Sequence, residues 1–449
     1  MIDRNYLKQS KITFLLAYPV MLSQLGQILV GVADSVMVGQ LGTEPLAGVS
    51  LGNSIFFLFL TFGIGISYGI TPLVAKADGE KNSNMIMELL KNGFLVNGIT
   101  GIVLFVLLYL TAFLFPYLNQ PEEVIVLARP YFIIISYSVI PFMIFQVFRQ
   151  FAEGLSLTRQ AMMITISGNL LNIGLNYILI FGKLGFPSYG LIGAGIATLI
   201  ARIYMALAMI MFVVYGRYFK PYWTHYRTIG LNRRLIRNIL HIGFPSGMQF
   251  IFEVGAFSLA VVMMGWLGAP SLAAHQIAIN LAAITYMMST GIATATTIRV
   301  GNQLGKKDFR SMRMVGFAGF YMSATFMGIN AIILIIGRFF FPSLYIHEPE
   351  VIQIAASLIL IAALFQLSDG IQVVGLGALR GMADVKIPTL VTLIAYWVLA
   401  LPIGYILGFV FGLGPVGIWI GLLAGLTITA VLLLIRFNRL SNAKLYQGV

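Results

Sequence analysis

Twelve apolar runs, each long enough to cross a bilayer, leave little of this chain for anything else. A membrane-spanning helix needs about 20 predominantly apolar residues. Runs of that kind cover 14–38, 46–74, 90–115, 126–148, 161–181, 190–215, 238–264, 272–298, 314–340, 351–378, 387–411 and 414–435. Several exceed the minimum, which implies tilt or helix ends that emerge from the membrane. The connections between them are short, so no soluble catalytic domain fits. Composition agrees: 59% of the 449 residues are hydrophobic and only 10% are charged. A soluble domain carries about 25% charged residues. With no cysteine in the chain, a disulfide framework and a thiolate metal site are both excluded. The opening stretch "MIDRNYLKQSKITFLLAYPVML" has no small-residue cleavage site and reads as a retained first span.

The net charge of +13 reflects topology rather than a nucleic-acid partner, because the basic residues lie between the apolar runs. Of 28 Lys and Arg, all but four fall at the termini or in every second connection. The opposite connections hold only Arg129, Lys183 and Arg338, and Arg202 lies inside a span. By the positive-inside rule, both termini are expected in the cytoplasm of a bacterial cell, with the chain in its cytoplasmic membrane.

The sequence also repeats itself. At a shift of 226, Pro19 falls on Pro245, Val36-Met37 on Val262-Met263, Leu41-Gly42 on Leu267-Gly268, Gly65 on Gly291 and Lys81 on Lys307. At a shift of 227, "EGLSLTR" (153–159) falls on "RGMADVK" (380–386). The expected fold class is therefore all-α integral membrane, with twelve transmembrane helices in two six-helix lobes related by a pseudo-two-fold along the membrane normal. The N-lobe is 1–216, a basic inter-lobe linker is 217–237, the C-lobe is 238–436 and a cytoplasmic tail is 437–449. The linker adds Tyr218, Tyr222, Trp223 and Tyr226, suited to the membrane interface or to anionic headgroups. Parallel repeats of this kind are used by transporters that rock two lobes about a central site.

Three acids lie within spans: Asp34, Glu253 and Asp369. A carboxylate at the bilayer centre costs about 2.5–3.5 kcal/mol even on the most lenient scale. Such groups face an interior cavity and mark an ion or substrate path, or else form a buried ion pair. Asp34 has no basic residue within ten positions, and the single Arg202 cannot neutralise three acids. Nor are the acids symmetry mates, since Asp34 falls on Ala260 and Glu253 on Gln27. The halves share a scaffold and carry different chemistry.

The fifth span contributes Asn169, Asn172 and Asn176, spaced three and four apart on one helix face. Their carboxamides suit either a hard cation or helix–helix adhesion. "GVSLG" (48–52) and "GISYG" (65–69) match G-x-S-x-G, but they lie in one apolar helix without the strand–turn–helix setting or His partner of a hydrolase. His275 is expected to be packed or pore-lining. Pro19, Pro141, Pro245, Pro388 and Pro402 interrupt apolar spans and are candidate bending points.

"GVADSVMVGQLGTEPLAGVSLG", "NIGLNYILIFGKLGFPSYGLIGAGIATLIAR" and "LSDGIQVVGLGALRGMADVKIPTLVTLIAYWVLALPIGYIL" together resemble the multidrug and toxic compound extrusion (MATE) transporters over essentially the whole chain. The resemblance implies a two-lobe, twelve-helix fold and export of organic cations driven by inward Na⁺ or H⁺. It also implies a NorM-like branch: Asp34 matches the family's first-helix Asp, and Glu253 and Asp369 match the C-lobe acids. Asn172, Asn176 and Thr198 match the polar partners of Asp34. A DinF-like chain carries Asp where this one has Asn176, and some NorM-like members have Tyr where this one has Phe365. A coupling Na⁺ is expected at Asp34 and Asn176, or at Glu253 and Asp369. No cofactor and no enzymatic activity are expected. The partners are small organic cations and membrane lipids, and the chain is read as a monomer. The alternative is a lipid-linked oligosaccharide flippase of the same superfamily, whose anionic substrates call for more basic residues in the spans.

Overall fold

The computed structural model describes residues 4–118, 120–223 and 230–447. Among these, twelve helical spans are long and apolar enough to cross a membrane. We number them α1 (Tyr6–Gly39), α2 (Thr43–Gly79), α3 (Ser83–Tyr117), α4 (Glu122–Gly154), α5 (Thr158–Phe181), α6 (Gly190–Tyr215), α7 (Arg233–Trp266), α8 (Ala269–Gly305), α9 (Phe309–Ile336), α10 (Pro349–Gly381), α11 (Lys386–Val410) and α12 (Gly414–Tyr446). Each expected apolar run falls on one of them. In hydrocarbon every backbone group must be satisfied within the segment, which is why runs of this composition resolve as helices. Tyr226 and Arg227 of the linker lie outside the described residues. The linker before them is short helix: Phe219 is fully buried, stacked against Phe151 and edge-on to Phe212. The helix of α12 continues through Gln447, so the basic tail is its extension.

The repeat has a backbone signature. Gly42 and Gly268, 226 apart, both adopt positive φ (127° and 102°), as do Lys81 and Lys307 (55° and 58°). Ser156 and Ala383, 227 apart, do the same (66° and 60°). Two helix starts are capped alike: Asn82 Oδ1 accepts from the Met85 amide at 3.0 Å, and Asp308 Oδ1 accepts from the Ser311 amide at 2.9 Å. Such caps satisfy amides that the first helical turn leaves open.

The chain forms two compact units. One comprises Leu22–Gly247 and the other Met1–Met21 with Met248–Val449. Their boundaries fall inside α1 and α7, two residues beyond Pro19 and Pro245, whereas the sequence reading sets the lobe boundary in the linker. Within the first unit, α7 begins against α2: a Cβ on Gly65 would lie 2.3 Å from Gly247 Cα, so only glycine permits the approach. Within the second, the start of α1 is held by Arg299, whose Nη1 donates to Gln9 O and Thr13 Oγ1, both at 2.7 Å. Small-residue contacts replace the hydrophobic drive that lipid removes.

The prolines mark only some of the irregularities. Pro19 and Pro245 sit inside continuous helix. The α4 span is interrupted at Ser138, three residues before Pro141. Around Pro402, α11 is π-helical over Ile394–Ala400 and Ile406–Val410. The interruption of α2 at Tyr68–Gly69 has no proline and was not anticipated.

Candidate functional site

In the unit Leu22–Gly247, α1, α5 and α6 bring four expected residues into one hydrogen-bonded chain. Asn176 Nδ2 donates to Asp34 Oδ1 and to Asn172 Oδ1, the latter at 3.1 Å. Asn172 Nδ2 donates to Thr198 Oγ1 at 3.4 Å, and the Thr198 hydroxyl donates to Ala194 O at 3.0 Å. Asn172 and Asn176 are buried, while Asp34 is half-buried. The carbonyl oxygen Asn176 Oδ1 is buried with no hydrogen-bond partner. Asn176 thus meets the acid directly and Asn172 only through Asn176. Asn169 is the third of the stripe; its buried Nδ2 has no partner, and a Cβ on Gly26 would lie 2.9 Å from it.

Arg202 does not close an ion pair with Asp34 among the described residues. Its guanidinium lies 4.9 Å from the ring centroids of both Phe56 and Phe142, and Nη1 donates to Ser138 Oγ at 2.8 Å. The Tyr131 hydroxyl donates to Asn53 Oδ1 at 2.9 Å.

The other unit gathers Glu253 from α7 and Asp369 from α10, both buried, with Asp369 one helical turn before Gln372. Two further residues complete this cluster. Gln372 Nε2 donates to Glu253 Oε1 at 3.3 Å and lies 2.9 Å from the Tyr396 hydroxyl. Tyr396 donates to Gln372 Oε1 at 3.1 Å. Gln372 and Tyr396 are fully buried, and Tyr396 rides on the first π-helical segment of α11. The sequence reading missed both. The spacing of Gln366, Asp369 and Gln372 held a usable signal, because it repeats the three-residue polar step of the asparagine stripe. Tyr396 falls on Asn169 at a shift of 227, the same helix of the other half.

The arrangement suits a hard cation on chemical grounds. At Asp34 a carboxylate lies beside an unengaged amide carbonyl, and near Glu253 a second carboxylate and an amide oxygen are at hand. Oxygen ligands of this type hold hard cations. No group of three or more His, Cys, Asp or Glu that could hold a metal ion occurs among the described residues.

Other sequence candidates resolve as packing. His275 is fully buried, its Nδ1 accepting from Trp419 Nε1 at 3.0 Å, so it is packed rather than pore-lining. Phe365 stacks on Trp419 at 5.3 Å. Ser50 donates to Leu46 O and Ser67 to Gly63 O and Asn97 Oδ1, as helix hydroxyls do in lipid.

Twelve spans, two repeated halves and buried acids with oxygen-rich surroundings define the class: a multi-pass membrane transporter, not an enzyme. A family model described as MatE matches residues 19–178 and 245–406, beginning at the two equivalent prolines. The multidrug resistance protein MdtK of Photorhabdus laumondii is 35% identical over 440 residues, covering 97% of this chain and 96% of its own. The multidrug resistance protein NorM of Photobacterium profundum is 34% identical, covering 97% and 96%. The chain therefore belongs to the MatE family of multidrug and toxic compound extrusion transporters, close to its NorM and MdtK members. Its fold is that family's all-α architecture. The eukaryotic MATE transporter AtDTX14 superposes with a TM-score of 0.87 at 20% identity, covering 99% of this chain and 100% of that one. A MATE structure described as bent gives 0.88 at 19% identity, covering 100% of each.

Proposed function

We propose that the protein exports organic cations from the cytoplasm in exchange for an inward-moving Na⁺ or H⁺, with Asp34, Asn172, Asn176 and Thr198 forming one cation site and Glu253 and Asp369 a second cation or substrate site. The chain is a multidrug and cation antiporter by family, and its relatives bear multidrug-resistance names. The observation that carries the site assignment is the unpartnered Asn176 carbonyl beside the Asp34 carboxylate. A buried carbonyl without a donor costs about 1–3 kcal/mol. With the amide turned over so that this carbonyl faces Asp34, a cation held between the two would remove that cost.

Coupling then needs no covalent step. A cation that binds the two access states unequally shifts the balance between them. A carboxylate that accepts either the coupling ion or the cationic substrate makes the two compete, and competition couples their fluxes. Under this reading both termini are cytoplasmic, the lobes 1–216 and 238–436 rock about the linker 217–237, and the monomer is the working unit.

The test is efflux of a fluorescent organic cation from proteoliposomes under a Na⁺ or a pH gradient imposed alone. One gradient should drive efflux, and Asp34→Asn and Glu253→Gln should each lower the driven rate at least tenfold. Wild-type rates in both variants would overturn the assignment.

A further inference from the structure

We propose that Gln372 is a reversible ligand of the C-lobe cation site: its amide donates to Glu253 when the site is empty and turns over to offer its oxygen when a cation enters. This rests on the assignment of Glu253 to a cation site and deepens it. Three contacts carry it, all within the second compact unit. First, Gln372 Nε2 donates to Glu253 Oε1 at 3.3 Å. A strong amide or ammonium bond to a carboxylate is shorter, about 2.7–2.9 Å. The pairing is therefore loose, and its width suits an ion. Oxygen ligands stand about 2.3–2.6 Å from a hard cation. Two oxygens separated by the present 3.3 Å can both touch one such ion, at roughly a right angle.

Second, the Tyr396 hydroxyl meets both ends of the same amide, accepting from Nε2 at 2.9 Å and donating to Oε1 at 3.1 Å. A phenol is both donor and acceptor. The amide can therefore exchange its nitrogen and oxygen without losing its outer partner. A bare carboxylate selects the nitrogen, and a cation beside the carboxylate selects the oxygen. Third, the frame around the amide is fixed. Gln372 and Tyr396 are fully buried, and the Tyr396 ring packs against Phe257 with centroids 6.1 Å apart. The next residue, Trp397, donates from Nε1 to Phe252 O at 2.9 Å, beside Glu253. Consecutive residues of one π-helical segment of α11 thus hold the amide and the backbone next to the acid. Single π-helical turns occur often at functional sites. Asn176 at the other acid differs: its carbonyl is left unpartnered while it donates, whereas both ends of the Gln372 amide are engaged.

The experiment is thermal melting of the purified full-length chain against Na⁺ at constant ionic strength, in an Asp34→Asn background so that the C-lobe site is the one read. Gln372→Met fills the same space without an oxygen and should raise the half-saturating Na⁺ concentration about tenfold, as loss of one charge-assisted contact requires. Gln372→Glu keeps the oxygen and loses the donor. It should melt lower in Na⁺-free buffer, yet keep its half-saturation within about threefold of the parent or below it. Tyr396→Phe keeps the ring and frees the amide, and should raise half-saturation by the smaller factor of about threefold. A purely structural role predicts that all three variants melt lower with half-saturation unchanged, and that outcome overturns the proposal. A parent without any Na⁺-dependent shift, or a Glu253→Gln variant that retains the shift in full, would instead defeat the site assignment beneath it, so the two failures are separable.

Discussion

At the scale of single residues, charge inside the spans was legible and its partners were not. Asp34, Glu253 and Asp369 stand out because a carboxylate in an apolar run is costly wherever it points. Asn172, Asn176 and Thr198 required the family resemblance as well, since carboxamides also serve as helix adhesive. In the structure they extend from Asp34 in one chain of hydrogen bonds, Asn176 first, then Asn172 and Thr198. Asn176→Ala removes both the donor to Asp34 and the free carbonyl. We expect the half-saturating concentration of the coupling cation to rise about tenfold, with melting in cation-free buffer changed by no more than about 2 kcal/mol. Cation-dependent melts would measure both. Gln372 and Tyr396 escaped notice for a physical reason. An uncharged polar residue in a span has only a modest cost, and a tyrosine among 33 Phe and 20 Tyr carries no contrast.

Among the elements, the twelve spans were readable because hydrocarbon demands complete backbone pairing over a fixed thickness. Their ends were less so, because capping turns are polar and apolarity alone cannot locate them. The first span, for example, begins at Tyr6 rather than residue 14, since "YLKQSK" is helical despite its charges. Irregularities inside spans were legible only where proline caused them. The π-helical segments of α11 flank Pro402, whereas the interruption of α2 at Tyr68–Gly69 depends on close packing: a Cβ on Gly69 would lie 2.3 Å from Ile239 O. The duplicated caps offer a direct test of equivalence. Asn82→Ala and Asp308→Ala should each destabilise by about 1 kcal/mol, and by the same amount within a few tenths. Unequal losses in denaturant titrations would show that the two starts are held differently despite their matching geometry.

For the whole molecule, the distribution of Lys and Arg sets an orientation that chemistry can check. Because the chain has no cysteine, single replacements need no prior background removal. Lys81→Cys and Lys307→Cys should react with an impermeant maleimide only from the cytoplasmic face of oriented vesicles, and Lys183→Cys only from the other. Labelling of Lys81→Cys and Lys183→Cys from one side would overturn the orientation. The division of the chain inside α1 and α7 bears on how it can be cut. Each compact unit includes the leading segment of a helix whose remainder belongs to the other unit. A cut in the linker therefore parts each unit from a segment of its own: the first half loses the lead of α7, and the second loses the lead of α1.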